Sequence, residues 1–132
     1  MVIFIDTSAL IALTDNQDKF HDEAKRQWRA VLENQDALIC NNYVVLETIS
    51  LVQRRFGMEH IHALQMEFLT LLEIHWIDES QHQAALVYFL QANRRHLSLV
   101  DCSSFSTMRE LGIQTVFTFD EHFREQGFKP IP

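Results

Sequence analysis

Val2-Ile3-Phe4-Ile5 is an unbroken apolar run of β-branched and aromatic residues. Such a run, short and without polar alternation, predicts a strand buried on both faces rather than one that shows a side to water. Ala37-Leu38-Ile39-Cys40 has the same character, and so does Thr115-Val116-Phe117-Thr118-Phe119. Glu73 to Ile77 is a further candidate strand, and Phe128 to Pro132 a candidate edge strand. The segments between them carry helical periodicity. From about Asp18 to Asn34, Phe20, Ala24, Trp28, Val31 and Leu32 share a face. Asn41 and Asn42 suit the N-cap of a helix through Phe56, and Met58 to about Leu72 continues with Ile61, Leu64 and Phe68 in phase. Ser80 to about Arg95 and Val100 to Leu111 read as helices as well. Short buried strands alternating with helices imply an α/β fold, a parallel sheet with helices on both faces. No linker, repeat or low-complexity stretch divides the chain, so residues 1–132 are expected to be a single domain.

The chain contains 3 glycines, and each follows a cation-bearing helix end: Gly57 after Arg54-Arg55, Gly112 after Arg109, Gly127 after Arg124. All three suit the left-handed residue that terminates a helix, which leaves none for a phosphate-cradling loop. A P-loop and a dinucleotide fingerprint are therefore excluded. Cys40 and Cys102 form no CxxC or Cys/His cluster, which argues against zinc and for a reducing compartment. Asp6 interrupts the first apolar run too early for a signal peptide, and no apolar stretch approaches the ~20 residues of a membrane span. The expectation is a soluble cytoplasmic domain. A formal charge of −7 weighs against binding nucleic acid through the overall field, unless acids are gathered at a metal and bases elsewhere.

In open parallel sheets, sites form beyond the carboxyl ends of the strands. Asp6 directly follows the first strand and Asp120 directly follows the run ending at Phe119. Glu47 interrupts the apolar helical stretch Val44–Ile49, and Asp101 opens the helix after Leu97-Ser98-Leu99-Val100. Burying such carboxylates without compensation costs several kcal/mol each, and the nearby bases lie on polar faces or helix ends. A divalent cation would compensate them, and hard oxygen donors favour Mg²⁺ or Mn²⁺ over Zn²⁺. Each acid also has a plain structural explanation. Asp6 and Asp101 suit helix caps, Asp120 suits a turn, and Glu47 can point to solvent. Thr7, Ser8, Thr48, Ser103, Ser104 and Thr118 flank the acids and could orient them, or could cap helices. All seven histidines read as non-catalytic. Cys102 reads as a small buried residue.

Taken in order, Phe4-Ile5-Asp6-Thr7-Ser8, Val44-Val45-Leu46-Glu47, Leu97–Phe105 and Thr118-Phe119-Asp120-Glu121-His122-Phe123 resemble the motifs of the PIN domain, specifically the VapC type of toxin ribonuclease. The resemblance covers essentially the whole chain; Cys102, where alanine is common, is a small departure. It implies a three-layer α/β/α fold with a short-stranded parallel sheet, Mg²⁺- or Mn²⁺-dependent cleavage of RNA, a cognate antitoxin and a homodimer. It also implies that Asp6 and Asp101 are the first candidates for direct metal ligands, with Glu47 and Asp120 completing the cluster. Thr7, Ser8, Ser104 and Thr118 would be supporting polar groups. Arg54, Arg55, Arg94 and Arg95 are candidate contacts to RNA, or simply solvated helix ends. Trp28 with Phe56, or Phe68 with Trp76, could meet a partner or lie in the core. Two rivals remain. A phospho-receiver also uses a strand-end aspartate, but it wants a second acid where Thr7 stands. A non-catalytic PIN-like scaffold would have no use for four mutually repelling acids.

Overall fold

The computed structural model describes residues 1–132. The strands β1 (Val2–Ile5), β2 (Ala37–Asn41), β3 (Glu73–His75), β4 (Thr115–Phe117) and β5 (Lys129–Ile131) form one sheet in the order β3-β2-β1-β4-β5. Every neighbouring pair is parallel. Central β1 is apolar throughout and β4 is apolar apart from Thr115, and Ile3, Phe4, Ile5, Val116 and Phe117 are all buried. The edge strands β3 and β5 are more open. Pro130 is tolerated because β5 has a neighbour on one side only.

The connections carry helices α1 (Thr7–Thr14), α2 (His21–Glu33), α3 (Asn42–Phe56), α4 (Met58–Glu67), α5 (Glu79–Ala92), α6 (Leu99–Leu111) and α7 (His122–Glu125). Helices α1 to α4 pack on one another and α5 packs on α6. Strand order runs one way from β1 to β3 and the other way from β4 to β5. Right-handed crossovers therefore put the two helical groups on opposite faces, which gives three layers around a core of 28 buried apolar residues.

Several boundaries differ from those read in the sequence. The helix expected from Met58 to about Leu72 ends at Glu67, and a 3-10 turn over Leu69–Leu71 follows. The strand expected to reach Phe119 ends at Phe117, because beyond Thr118 the N–H groups of Phe119 and Asp120 bond to the hydroxyls of Ser8 and Thr118 rather than to a neighbouring strand. Asp120 thus lies in a turn beyond the strand. Trp28 belongs to the core, edge-on to Phe68 at 5.3 Å, whereas Trp76 is 70% exposed. No helix is long and apolar enough to cross a membrane.

A buried polar contact fixes how the two sides of the sheet meet. Asn41 ends β2 and caps α3 by accepting from Val44 N–H at 2.9 Å. Its amide donates to Ser103 Oγ at 3.3 Å and Thr107 Oγ1 at 3.1 Å on α6. The residue that starts α3, which carries Glu47, is therefore bonded to α6, which carries Asp101.

Candidate metal centre

The strand order reverses between β1 and β4, so the chain leaves their carboxyl ends in opposite directions and opens a crevice there. Asp6 continues the ladder by donating its N–H to Phe117 at 3.1 Å, and in the same position it caps α1. Its carboxylate is 3% exposed. Oδ2 accepts from Ser8 Oγ at 2.7 Å, from Thr118 Oγ1 at 2.8 Å and from Ser8 N–H at 3.4 Å. These hydroxyls are themselves held from behind, Ser8 by Phe119 N–H and Thr118 by Asp120 N–H, both at 3.0 Å. The bonds converge on Oδ2 and leave Oδ1 unengaged. The cap and the metal-site role read for Asp6 as alternatives are thus geometrically compatible.

Asp101 is the third residue of α6 and closes a reciprocal cap with Ser98: its Oδ2 accepts Ser98 N–H at 3.1 Å, and Ser98 Oγ accepts Asp101 N–H at 2.9 Å. Asp120 Oδ1 accepts His122 N–H at 2.9 Å, which closes the turn into α7. Glu47 reaches the cleft from α3, where Val44, Thr48 and Val52 form the buried stripe. The adjacent stripe of Glu47, Leu51 and Arg55, four residues apart each time, lines the cleft instead.

The cleft has a volume of about 330 Å³ and brings together Asp6, Glu47, Asp101 and Asp120, with Thr7, Ser8 and Arg55 in its lining. Phe20 and Phe119, stacked at 4.5 Å, make an apolar wall. Burial, repulsion from Asp101 and repulsion from Asp120 outweigh the bonds from Ser8 and Thr118, so the Asp6 carboxyl is pushed up to about 6. Burial raises Glu47 too, with Asp6 and Asp120 adding repulsion. Asp101 is raised by burial first, although Ser98 N–H opposes it, and Asp120 adds to the rise.

Other expected residues lie elsewhere. Ser104 does not support the acids; its hydroxyl bonds to Val100 O at 3.1 Å, as Ser103 does at 2.7 Å, because a helical serine reaches the preceding turn. Of the four arginines only Arg55 lines the cleft. Arg54 lies one helical step around from it and is exposed. Arg94 pairs with Glu125 at 3.0 Å on the surface, and Arg95 lies beside it near the end of α5. The sequence reading missed His122. Its Nδ1 stands 3.0 Å from Asp120 Oδ1 and 3.7 Å from Asp101 Oδ2. The signal available was position alone, two residues beyond Asp120 at the start of a helix.

The donors fit a divalent cation: oxygens of Asp101 and Asp120 and a ring nitrogen of His122 lie within 4.8 Å of one another, and Asp6, with its Oδ1 unengaged, and Glu47 line the same cleft. Fold and site define an α/β domain whose acids converge at the sheet's switch point. The chain belongs to the PIN domain family, whose pattern matches residues 3–129. It is 31% identical over 128 residues to the 23S rRNA-specific endonuclease VapC20 of Mycobacterium tuberculosis, covering 96% of this chain and 95% of that protein. The crystal structure of that relative, described as a sarcin-ricin loop cleaving toxin, superposes with a TM-score of 0.84. VapBC2 from Rickettsia felis, solved with a promoter DNA fragment, gives 0.73 at 14% identity, over 99% of this chain and 98% of that one. FitAcB from Neisseria gonorrhoeae gives 0.69 at 15%, over 100% and 97%. These last two share the fold.

Proposed function

We propose that this chain is a metal-dependent endoribonuclease, the toxin of a VapBC-type toxin–antitoxin pair, and that residues 1–132 act as one nuclease unit in the cytoplasm. The observation that carries this reading is the convergence of Asp6, Glu47, Asp101 and Asp120 on one cleft at the switch point. The likeness to VapC20 supports ribosomal RNA as the substrate class, with the sarcin–ricin loop as the first RNA to test.

The reaction is hydrolysis: a water oxygen bonds to phosphorus, the bond to the 3′-oxygen breaks, and the leaving oxygen takes up a proton. Asp6 and Asp101 would hold Mg²⁺ or Mn²⁺, with Glu47 and Asp120 completing the set. A bound cation supplies Lewis acidity toward water and neutralises charge on the phosphate. The chain's own residues do the rest. Ser8 and Thr118 fix Asp6 through Oδ2 and keep Oδ1 toward the cleft. Glu47, at the cleft wall, is placed to take the proton of the attacking water. Arg55 meets a neighbouring phosphate, and the wall of Phe20 and Phe119 gives a nucleobase an apolar face. Two divalent cations cancelling the four acids would leave −3 of the formal −7, so RNA binding rests on local bases and is sensitive to salt. Trp76, with Val87, Tyr88 and Leu90 of α5, offers apolar surface for a second copy or an antitoxin segment.

A sarcin–ricin-loop hairpin RNA incubated with the protein and Mn²⁺ tests this reading. Site-specific cleavage by the wild type, lost in Asp6→Ala and in chelator, is the expected result. Equal cleavage by wild type and Asp6→Ala would expose a contaminating nuclease and overturn the assignment. So would labelling of Asp6 by acetyl phosphate without cleavage, the behaviour of a receiver domain.

A further inference from the structure

His122 carries the only buried side-chain nitrogen or oxygen atom that lacks a hydrogen-bond partner. Its side chain is 17% exposed, and Nδ1 is within 3.0 Å of Asp120 Oδ1 without making an aligned bond to it. A buried polar atom left in that condition is destabilising, and native structures seldom keep one without a use. The surroundings suggest the use. One oxygen each from Asp101 and Asp120, together with a ring nitrogen of His122, all lie within 4.8 Å of one another. Two donors bound to one small divalent ion at about 2.1 Å stand about 3.0 Å apart at a right angle and about 3.4 Å apart at a tetrahedral angle. The spacings here, 3.0 Å to Asp120 and 3.7 Å to Asp101, are close to those of ligands around a shared ion. Backbone geometry holds the ring there: His122 N–H bonds to Asp120 Oδ1, and Phe123 beside it is fully buried against Phe105.

We propose that His122 Nδ1 is itself a ligand of the cation, which gives the site a mixed oxygen and nitrogen donor set and makes it select Mn²⁺, or a later first-row ion, over Mg²⁺. The inference rests on the metal-dependent reading above and goes beyond it by naming a ligand and a metal preference. Imidazole suits the later first-row ions best; Mn²⁺, at the hard end of that series, still gains from a nitrogen donor, whereas Mg²⁺ takes oxygen donors and keeps its waters. For this role the ring must be neutral, with its proton on Nε2 and the Nδ1 lone pair facing the carboxylates. The competing account is an imidazolium that only offsets the acids' charge.

Pulsed electron paramagnetic resonance of the Mn²⁺-loaded protein separates the two, because a directly bound imidazole nitrogen modulates the Mn²⁺ echo. The expected result is a ¹⁴N modulation that converts to the ¹⁵N pattern with labelled histidine. It should vanish in His122→Ala and His122→Gln and persist in a His62→Ala control. In parallel, Mn²⁺ titrations with competing Mg²⁺ should show Mn²⁺ weakened at least tenfold in His122→Gln, and Mg²⁺ less than threefold. If the alanine variant does not fold, isotope labelling of the wild type and the glutamine variant decide the matter. A modulation absent from the wild type or persisting in the variants overturns the proposal, as does equal loss of both metals. Mn²⁺ that fails to bind the wild type at all overturns the metal-dependent reading as well.

Discussion

Replacing Asp6 by asparagine should stabilise the metal-free protein while abolishing its activity. The Asp6 carboxyl is raised from 3.8 to about 6 in the folded chain, chiefly by burial. That difference corresponds to about 3 kcal/mol of destabilisation once the group is ionised. The bonds from Ser8 and Thr118 are already counted, since they are among the influences that set the value. The sign follows from linkage. Below pH 3.8 the group is protonated in both the folded and unfolded chain and contributes nothing. As pH rises the unfolded chain ionises first, and above about 6 the whole penalty is present. The asparagine side chain keeps an oxygen for Ser8 and Thr118 and carries no charge. In chelator at pH 7.5, Asp6→Asn should therefore gain about 3 kcal/mol, or about 10 °C in Tm for a chain of this size. The gain should shrink below pH 6 and fall to about 0.5 kcal/mol near pH 4. Differential scanning calorimetry of both proteins from pH 4 to 8 measures it. An asparagine variant less stable than the wild type at pH 7.5, or a gain that does not vary with pH, would refute the claim that burial of this charge strains the apo site.

Mn²⁺ at a hundred times its dissociation constant should stabilise the wild type by about 2.7 kcal/mol, and a double Asp101→Ala, Asp120→Ala variant should lose that gain in the same calorimeter. Arg55→Ala should weaken RNA binding and lower the salt slope by about 1 in fluorescence anisotropy with chelator present. Arg94→Ala should change neither, and should cost under about 1 kcal/mol because its partner Glu125 is on the surface. Asn41→Ala orphans Val44 N–H and removes the amide bonded to Ser103 and Thr107; urea denaturation should show a loss of about 3 kcal/mol. Cys40, its thiol pushed up to about 12 by burial, should resist a disulfide reagent until the protein unfolds.

The elements legible in the sequence were those whose environment is uniform along their length. β1 and Val116-Phe117 of β4 are apolar because each strand has neighbours on both sides and helices above and below. The end of α3 was legible at Gly57, whose φ of +87° suits glycine. The errors fell where a tertiary contact overrides local propensity. Phe119 reads as strand, yet its N–H goes to Ser8 Oγ and its ring stacks on Phe20. The helix through Phe68 stops at Glu67 although its apolar spacing runs on.

The acids could be picked out singly because a carboxylate beside an apolar run is costly, and that cost is written in the order of residues. What the sequence determined was therefore the α/β class, the helix ends marked by Gly57 and Gly112 and the set of charged groups that needed an explanation. Only the tertiary structure decided which of them share a space. Asp6 and Thr118 are 112 residues apart and become neighbours only because β4 pairs with β1. Arg55 enters the cleft while Arg54 does not because successive residues on a helix point about 100° apart. In sequence only its place two residues beyond Asp120 sets His122 apart from six other histidines; it joins Asp101 because the β4–α7 turn brings it over the start of α6. Adjacency across a sheet depends on strand order, and strand order is a property of the packed chain rather than of any segment within it.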